Sequence, residues 1–281
     1  MTYVGPSFSL GNHRARFAVA GFGLATAISL ALVAVRGAPT RTECFLLYEL
    51  GVGQISREPS SGCATRVTPA STFKIPHALA ALDAGVLDGP DTRIAYDGAP
   101  VSFESWRHDH TLASAMHSSV AWYFQRVASM LGADREREYL RKFAYGNQDP
   151  SSGLTTFWLG GSLRISPDEQ QAFLLKLYQD ALPVSARARE AVRAILVQPQ
   201  GKIVNASGTH DFAGAWPAGT VVSAKTGSES DASGTSTRWI VGHVRRGART
   251  WVFVSSLTGK DLTPLAAVDL AAQALHQQGV I

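Results

Sequence analysis

The amino-acid sequence predicts an α+β fold, an antiparallel sheet with flanking helices beside a helical region. Strand-like runs of aliphatic and aromatic residues fall near Cys44–Leu50, Thr237–Val244 and Thr250–Leu257, close to the two ends of the chain. The middle reads mostly as helices, so strands from both ends must meet in one sheet with the helical stretch packed beside it. The 281 residues, 45% hydrophobic and 17% charged, suffice to bury a sizeable core as one or two closely packed domains.

Residues 1–37 read as an export signal. Arg14 and Arg16 precede the uncharged, largely apolar run Phe17–Val35, and small residues follow, with cleavage near Ala34 or Gly37. An uncleaved anchor is the other reading, because that run is just long enough to cross a bilayer. Gly21, Gly23 and Ser29 dilute the run and favour cleavage. Residues 38–281 then form the catalytic domain, exported to the periplasm or secreted, with no stable membrane contact once the signal is removed. Three arginines and no acidic residue fall within the signal, so the formal charge of +4 drops to about +1 in the remainder. That near-neutrality gives no argument for nucleic acid.

Cys44 and Cys63 flank an expected hairpin, CFLLYEL and QISRE joined at Gly51–Gly53. In an exported chain the two can form a disulfide, worth about 3 kcal/mol for a loop of about 18 residues, or remain two buried thiols. Strand register, which would decide, cannot be read here. At the other end, Thr250–Leu257 between Gly247 and Gly259 reads as a buried strand, and Leu262–Gln278 as a terminal helix lying on the sheet. No repeat, no closely spaced Cys/His cluster and no phosphate-binding glycine fingerprint occurs, so neither metal nor nucleotide chemistry is suggested.

The chemistry begins at Pro69-Ala-Ser-Thr-Phe-Lys74. Ile75, Leu79 and Leu82 recur at helical spacing, so a helix starts near Ser71, with Pro76 tolerated close to its beginning. Ser71 and Lys74 then share a face. A serine hydroxyl is a poor nucleophile until a base takes its proton, and an amine three residues on is placed to do so or to carry a group that does. Amides at the start of a helix also favour negative charge developing during acyl transfer. Alone, S-x-x-K also describes an N-cap serine with a solvated lysine. It is accompanied here by a serine ahead of VAWYFQ, by Tyr145-Gly-Asn147 and by Lys225-Thr-Gly227 before strand-like sequence.

The pairing of S-x-x-K with K-T-G is a signature of penicillin-recognising acyl transferases. PASTFKIPHAL, WYFQ, FAYGNQ, FWLGGSLRIS and KTG, in this order over roughly Cys44–Leu257, resemble the class D, oxacillinase-type serine β-lactamases. The resemblance implies a β-lactamase/penicillin-binding transpeptidase-like fold and hydrolysis of penicillin-like antibiotics. It makes Ser71 the acylated nucleophile, Lys74 a lysine carboxylated by carbon dioxide to act as general base, and Trp158 the indole that hydrogen-bonds this carbamate. No other cofactor and no metal is implied. A lysine in an apolar pocket is neutral enough to attack carbon dioxide, which agrees with these roles.

The family's S-x-V motif fits Ser118 literally, but counting back from Tyr123-Phe-Gln125 and forward from Met116 favours Ser119 as the proton relay to the leaving nitrogen, with Lys225 holding positive charge nearby. Thr226 would bind the substrate carboxylate and Gly227 would let substrate approach the strand backbone. The amides of Ser71 and Ser228 would form the oxyanion hole. Trp106 would wall the pocket, and Tyr145 and Asn147 would buttress it. Two departures stand out. Ala121 occupies a position that is usually valine, and the arginine expected to bind the carboxylate is missing from SLTGKDLTPLAAVDLA, where Lys260 is a poor surrogate. A β-lactam sensor domain and a cell-wall D,D-peptidase are the competing readings; Trp158 beside Lys74 argues for deacylation and against both.

Overall fold

A computed structural model of the chain describes residues 1, 2, 5, 41–59 and 61–281. The chain divides into two compact units, Met1–Ala38 and Pro39–Ile281, and the second holds every described strand and helix. Apart from Met1, Thr2 and Gly5, the segment read as an export signal lies outside the described residues. Among those described, no helix is long and apolar enough to cross a membrane.

The expected hairpin is formed by β1 (Arg41–Glu49) and β2 (Gly53–Glu58), which turn about Gly51 in the left-handed region. Helices α1 (Lys74–Asp83), α2 (Leu112–His117), α3 (Ala121–Leu131), α4 (Ala133–Phe143), α5 (Pro167–Tyr178) and α6 (Ala186–Ile195) fill the middle. Two short ribbons interrupt them: β3 (Arg93–Ile94) pairs with β4 (His110–Thr111), and β5 (Lys202–Asn205) with β6 (Gly208–Asp211). The chain ends with β7 (Thr220–Ser230), β8 (Ser236–Arg246), β9 (Arg249–Gly259) and α7 (Ala266–Gln277). β1 enters beside β9, so the antiparallel sheet runs β2-β1-β9-β8-β7 and leaves β7 on an edge.

Alternation along these strands builds two cores. Trp239 and Val241 of β8, with Val252 and Val254 of β9, face the helical region. Ile240, Val244, Trp251, Phe253 and Leu257 face away, onto Ala267, Val268, Ala271 and Leu275 of α7. α7 begins at Ala266 rather than at Leu262 as the sequence suggests, because Pro264 disfavours helical geometry in Thr263 and Asp261 takes a positive φ of 56°. Cys44 and Cys63 form a disulfide, which closes the choice left open by the sequence and ties β1 to the segment leading towards Ser71.

Candidate active site

Ser71 does not sit at the start of an α-helix but in a preceding 3-10 turn, Ala70–Phe73, which runs directly into α1. The turn is held from several sides. Ala70 has a φ of 48°, and the Thr72 hydroxyl donates to the carbonyl of Pro69 at 2.7 Å. Gln170 of α5 donates to the Thr72 hydroxyl at 2.6 Å and accepts from the Tyr145 hydroxyl at 3.2 Å. From the sheet, Trp239 Nε1 donates to the Thr68 carbonyl at 2.9 Å. The Thr68 hydroxyl in turn donates to the Trp158 carbonyl at 3.1 Å and accepts from Gly160 N at 3.1 Å.

One residue after this turn, the fully buried Lys74 donates from Nζ to Ser71 Oγ at 2.7 Å. Its Nζ lies 5.5 Å from the Phe124 ring centroid, so one side of the amine is apolar. Loss of hydration disfavours the ammonium and pushes the Lys74 pKa from 10.5 down to about 7, against the opposing field of Glu229. Trp158 is also fully buried, within 5.5 Å of the Phe73 ring and 5.3 Å of the His77 ring. Its buried indole Nε1 has no acceptor among the described residues.

Ser119 connects α2 to α3 with a φ of 54°, and Lys225 Nζ donates to its hydroxyl at 2.9 Å and to the Thr226 carbonyl at 2.9 Å. Ser118 is elsewhere: it caps α2, and its carbonyl accepts from Trp106 Nε1 at 2.9 Å. Of the two serines, Ser119 is the one that meets the lysine. Burial, followed by the charge of Lys74, pushes the Lys225 pKa well below its usual range. The two amines therefore resist being cationic together.

Lys225, Thr226, Gly227 and Ser228 lie on the edge strand β7, with Thr226 half-buried and Ser228 exposed. Gly227 has a packing reason that the sequence did not reveal. A Cβ there would lie 3.0 Å from both the Pro69 carbonyl oxygen and Thr72 Cγ2, so the close approach it permits in this structure is that of the Ser71 turn itself. Trp106 is half-buried in an aromatic cleft of about 440 Å³ with Tyr96, Trp122 and Ala121. Tyr145 is buried under the turn through Gln170. Asn147 is exposed and braces the loop after Trp158, donating to the Ser162 carbonyl and accepting from Arg164 N, both at 2.8 Å. Lys260, just past β9, is exposed.

A lysine-bearing serine turn, a second serine–lysine pair and an orphaned indole are thus gathered against one sheet edge. The penicillin-binding protein transpeptidase domain model matches residues 52–276. The probable β-lactamase YbxI of Bacillus subtilis is 33% identical over 238 residues, covering 84% of this chain and 81% of that protein. The chain belongs to the class D β-lactamases. The solved structure of the class D β-lactamase BAT-2 matches with a TM-score of 0.74 at 30% identity, over 86% of this chain and 93% of that one. A relative of another kind is the regulatory protein BlaR1 of Bacillus licheniformis, 31% identical over 77% of this chain and 33% of that protein.

Several contributors to this class D site carry no signal in the sequence. Thr68 and Gln170 belong to no motif, Thr72 fills an unassigned place within S-x-x-K, and only contacts between segments show that they fix the turn. His77, three residues after Lys74, packs on Trp158 and lies with Nε2 2.7 Å from Glu136 Oε1, both side chains fully buried. Glu136 is the more concealed of the two, because ADREREYLRKF reads as a solvated helix.

Proposed function

We propose that this enzyme opens the amide of β-lactam antibiotics through an ester on Ser71, assisted by a Lys74 that is carboxylated by carbon dioxide, and then hydrolyses that ester. The observation that carries the reading is a fully buried lysine, with a pKa of about 7, in direct hydrogen bond to the serine hydroxyl. Carbon dioxide held on Nζ would supply an anionic oxygen base beside Ser71. The residues present fit it: about half of Lys74 is a neutral amine near pH 7, Phe124 covers one side, and the Trp158 indole is a buried donor without an acceptor among the described residues.

Ser71 Oγ loses its proton on the Lys74 side as it attacks the lactam carbonyl. The departing nitrogen receives the proton of the Ser119 hydroxyl, which takes one in turn from its hydrogen-bond donor Lys225 Nζ at 2.9 Å. The amides of Ser71 and Ser228 would receive the carbonyl oxygen, and Thr226 the substrate carboxylate. Water attacking from the Lys74 side releases the product. The disulfide fits an oxidising compartment, and with it export by the basic and apolar N-terminal segment.

The similarity to BlaR1 favours one competing reading, a sensor that is acylated and stays so. Continuous turnover of a chromogenic cephalosporin, with intact mass read alongside, separates the two. Sustained hydrolysis and a transient adduct that Ser71→Ala abolishes are expected. A single burst with a lasting adduct would make the protein a sensor, and labelling of Ser71→Ala would remove Ser71 as nucleophile. Depleting bicarbonate should lower turnover and adding it back should restore it, more strongly below pH 7 than above, because protonation removes the neutral amine. An unmodified Lys74 with bicarbonate-independent turnover below pH 7 would exclude carboxylation.

A further inference from the structure

The placement of the two serines orients the substrate, and the orientation points its variable end at a side chain outside the machinery of acyl transfer. In a β-lactam the carbonyl carbon attacked by Ser71 is flanked by the leaving nitrogen on one side and by the carbon bearing the side chain on the other. The nitrogen must lie towards Ser119 and Lys225, where its proton comes from. Ser71's turn packs over Gly227, two residues further along β7, so the other substituent extends along β7 past Ser228. There a cleft of about 350 Å³ opens, lined among others by Thr68, Leu159, Gly160, Arg164 and Glu229.

Glu229 has the strand parity of Lys225 and Gly227, so its side chain leaves β7 on the face of the site. Its field reaches Lys74. Its Oε1 accepts only the weak contact from its neighbour Ser230 N at 3.2 Å among the described residues, and it forms no ion pair there. Of the neighbouring charges, Arg238 of β8 lies close enough for its charge to sense Glu229, but its guanidinium donates to the Glu229 backbone carbonyl at 2.9 Å and not to the carboxylate. Arg66 is paired with Glu169 at 3.0 Å, and Arg164 donates to the carbonyls of Gly160, Gly161 and Leu163. Asp231 accepts from Ser233 N at 2.8 Å and Thr235 N at 3.1 Å in its own hairpin tip. An unpaired carboxylate therefore meets the end of the substrate that varies between antibiotics.

Resting on the function proposed above, we propose that Glu229 is a specificity determinant, which favours β-lactams whose side chain carries a protonated amine and disfavours those whose side chain carries a carboxylate. The test compares benzylpenicillin with its α-amino and α-carboxy derivatives, ampicillin and carbenicillin, on the unaltered protein and on Glu229→Gln. The rate of Ser71 acylation is read by intact mass and kcat/KM by absorbance. Each rate is divided by that of benzylpenicillin, so any change that Glu229→Gln makes to Lys74 cancels. For a partly exposed charge pair, the substitution should lower the ampicillin ratio about three- to five-fold and raise the carbenicillin ratio by a similar factor. Both effects should shrink in 1 M salt. Unchanged ratios in Glu229→Gln, with all three compounds acylating Ser71, would overturn the role of Glu229 alone. If none acylates Ser71, the proposed function fails and this inference with it.

Discussion

Replacing Lys74 by methionine should abolish activity and make the protein more stable. The substitution keeps an unbranched side chain of similar volume and removes the charge. Burial depresses the Lys74 pKa from 10.5 to about 7. At about 1.36 kcal/mol per unit, keeping this amine in the folded state costs about 5 kcal/mol at low pH and slightly less at pH 7. Losing the hydrogen bond to Ser71 offsets about 1 kcal/mol of that, so Lys74→Met should gain about 3 kcal/mol at pH 7. The pH dependence has a definite sign. Between pH 7 and 10.5 the unfolded chain binds the proton that the folded chain has released, so the stability of the unaltered protein rises with pH across that window. The advantage of Lys74→Met should shrink over the same range. Lys225 also titrates low, and its shift relaxes when the neighbouring amine is removed, which further flattens the variant's curve. Urea unfolding in carbon dioxide-free buffer at several pH values reads both. Parallel stability curves for the two proteins would refute a depressed Lys74.

Glu136→Ala leaves His77 buried opposite a void and should cost about 1–3 kcal/mol, read by urea unfolding; a loss under about 0.5 kcal/mol would mean that the contact does not contribute. On the proposed function Thr226→Ala would remove one hydrogen bond to a substrate carboxylate, about 1.5–3 kcal/mol, and should raise KM more than it lowers kcat. An unchanged KM would place Thr226 out of substrate contact. Lys260→Ala should change kcat/KM less than about threefold, since the side chain is exposed and a flexible ammonium is a weak surrogate for a bidentate arginine. A tenfold loss would identify it as the carboxylate anchor.

Strands β8 and β9 were legible, though not their register, because both their faces are buried and each reads as a short continuous run of aliphatic and aromatic residues, a signal each strand carries in itself. The spacing of Ser71 and Lys74 was legible for a similar reason, since three residues bring two side chains together in either kind of helical turn. The features that escaped depend on contacts between distant segments. The disulfide needed the path of β1 relative to the residues after β2. The packing of the Pro69–Thr72 segment against Gly227 was equally hidden, because nothing in Lys-Thr-Gly reveals which backbone lies against it. Glu136 and Glu229 are both acidic residues amid polar sequence, and only the fold shows that one is sealed beneath Trp158's neighbour and the other opens on the cleft.

Thr68 has a mechanical consequence for the site. Its carbonyl is fixed by Trp239 of the sheet, and its hydroxyl clasps the backbone on either side of Leu159. Close-packed interiors transmit small displacements instead of absorbing them. A breathing motion of the sheet or of the loop after Trp158 therefore reaches Ser71, three residues away, as one common shift. The serine turn, the backbone around Trp158 and β8, which pairs with the strand bearing Lys225, are thereby coupled through a single threonine.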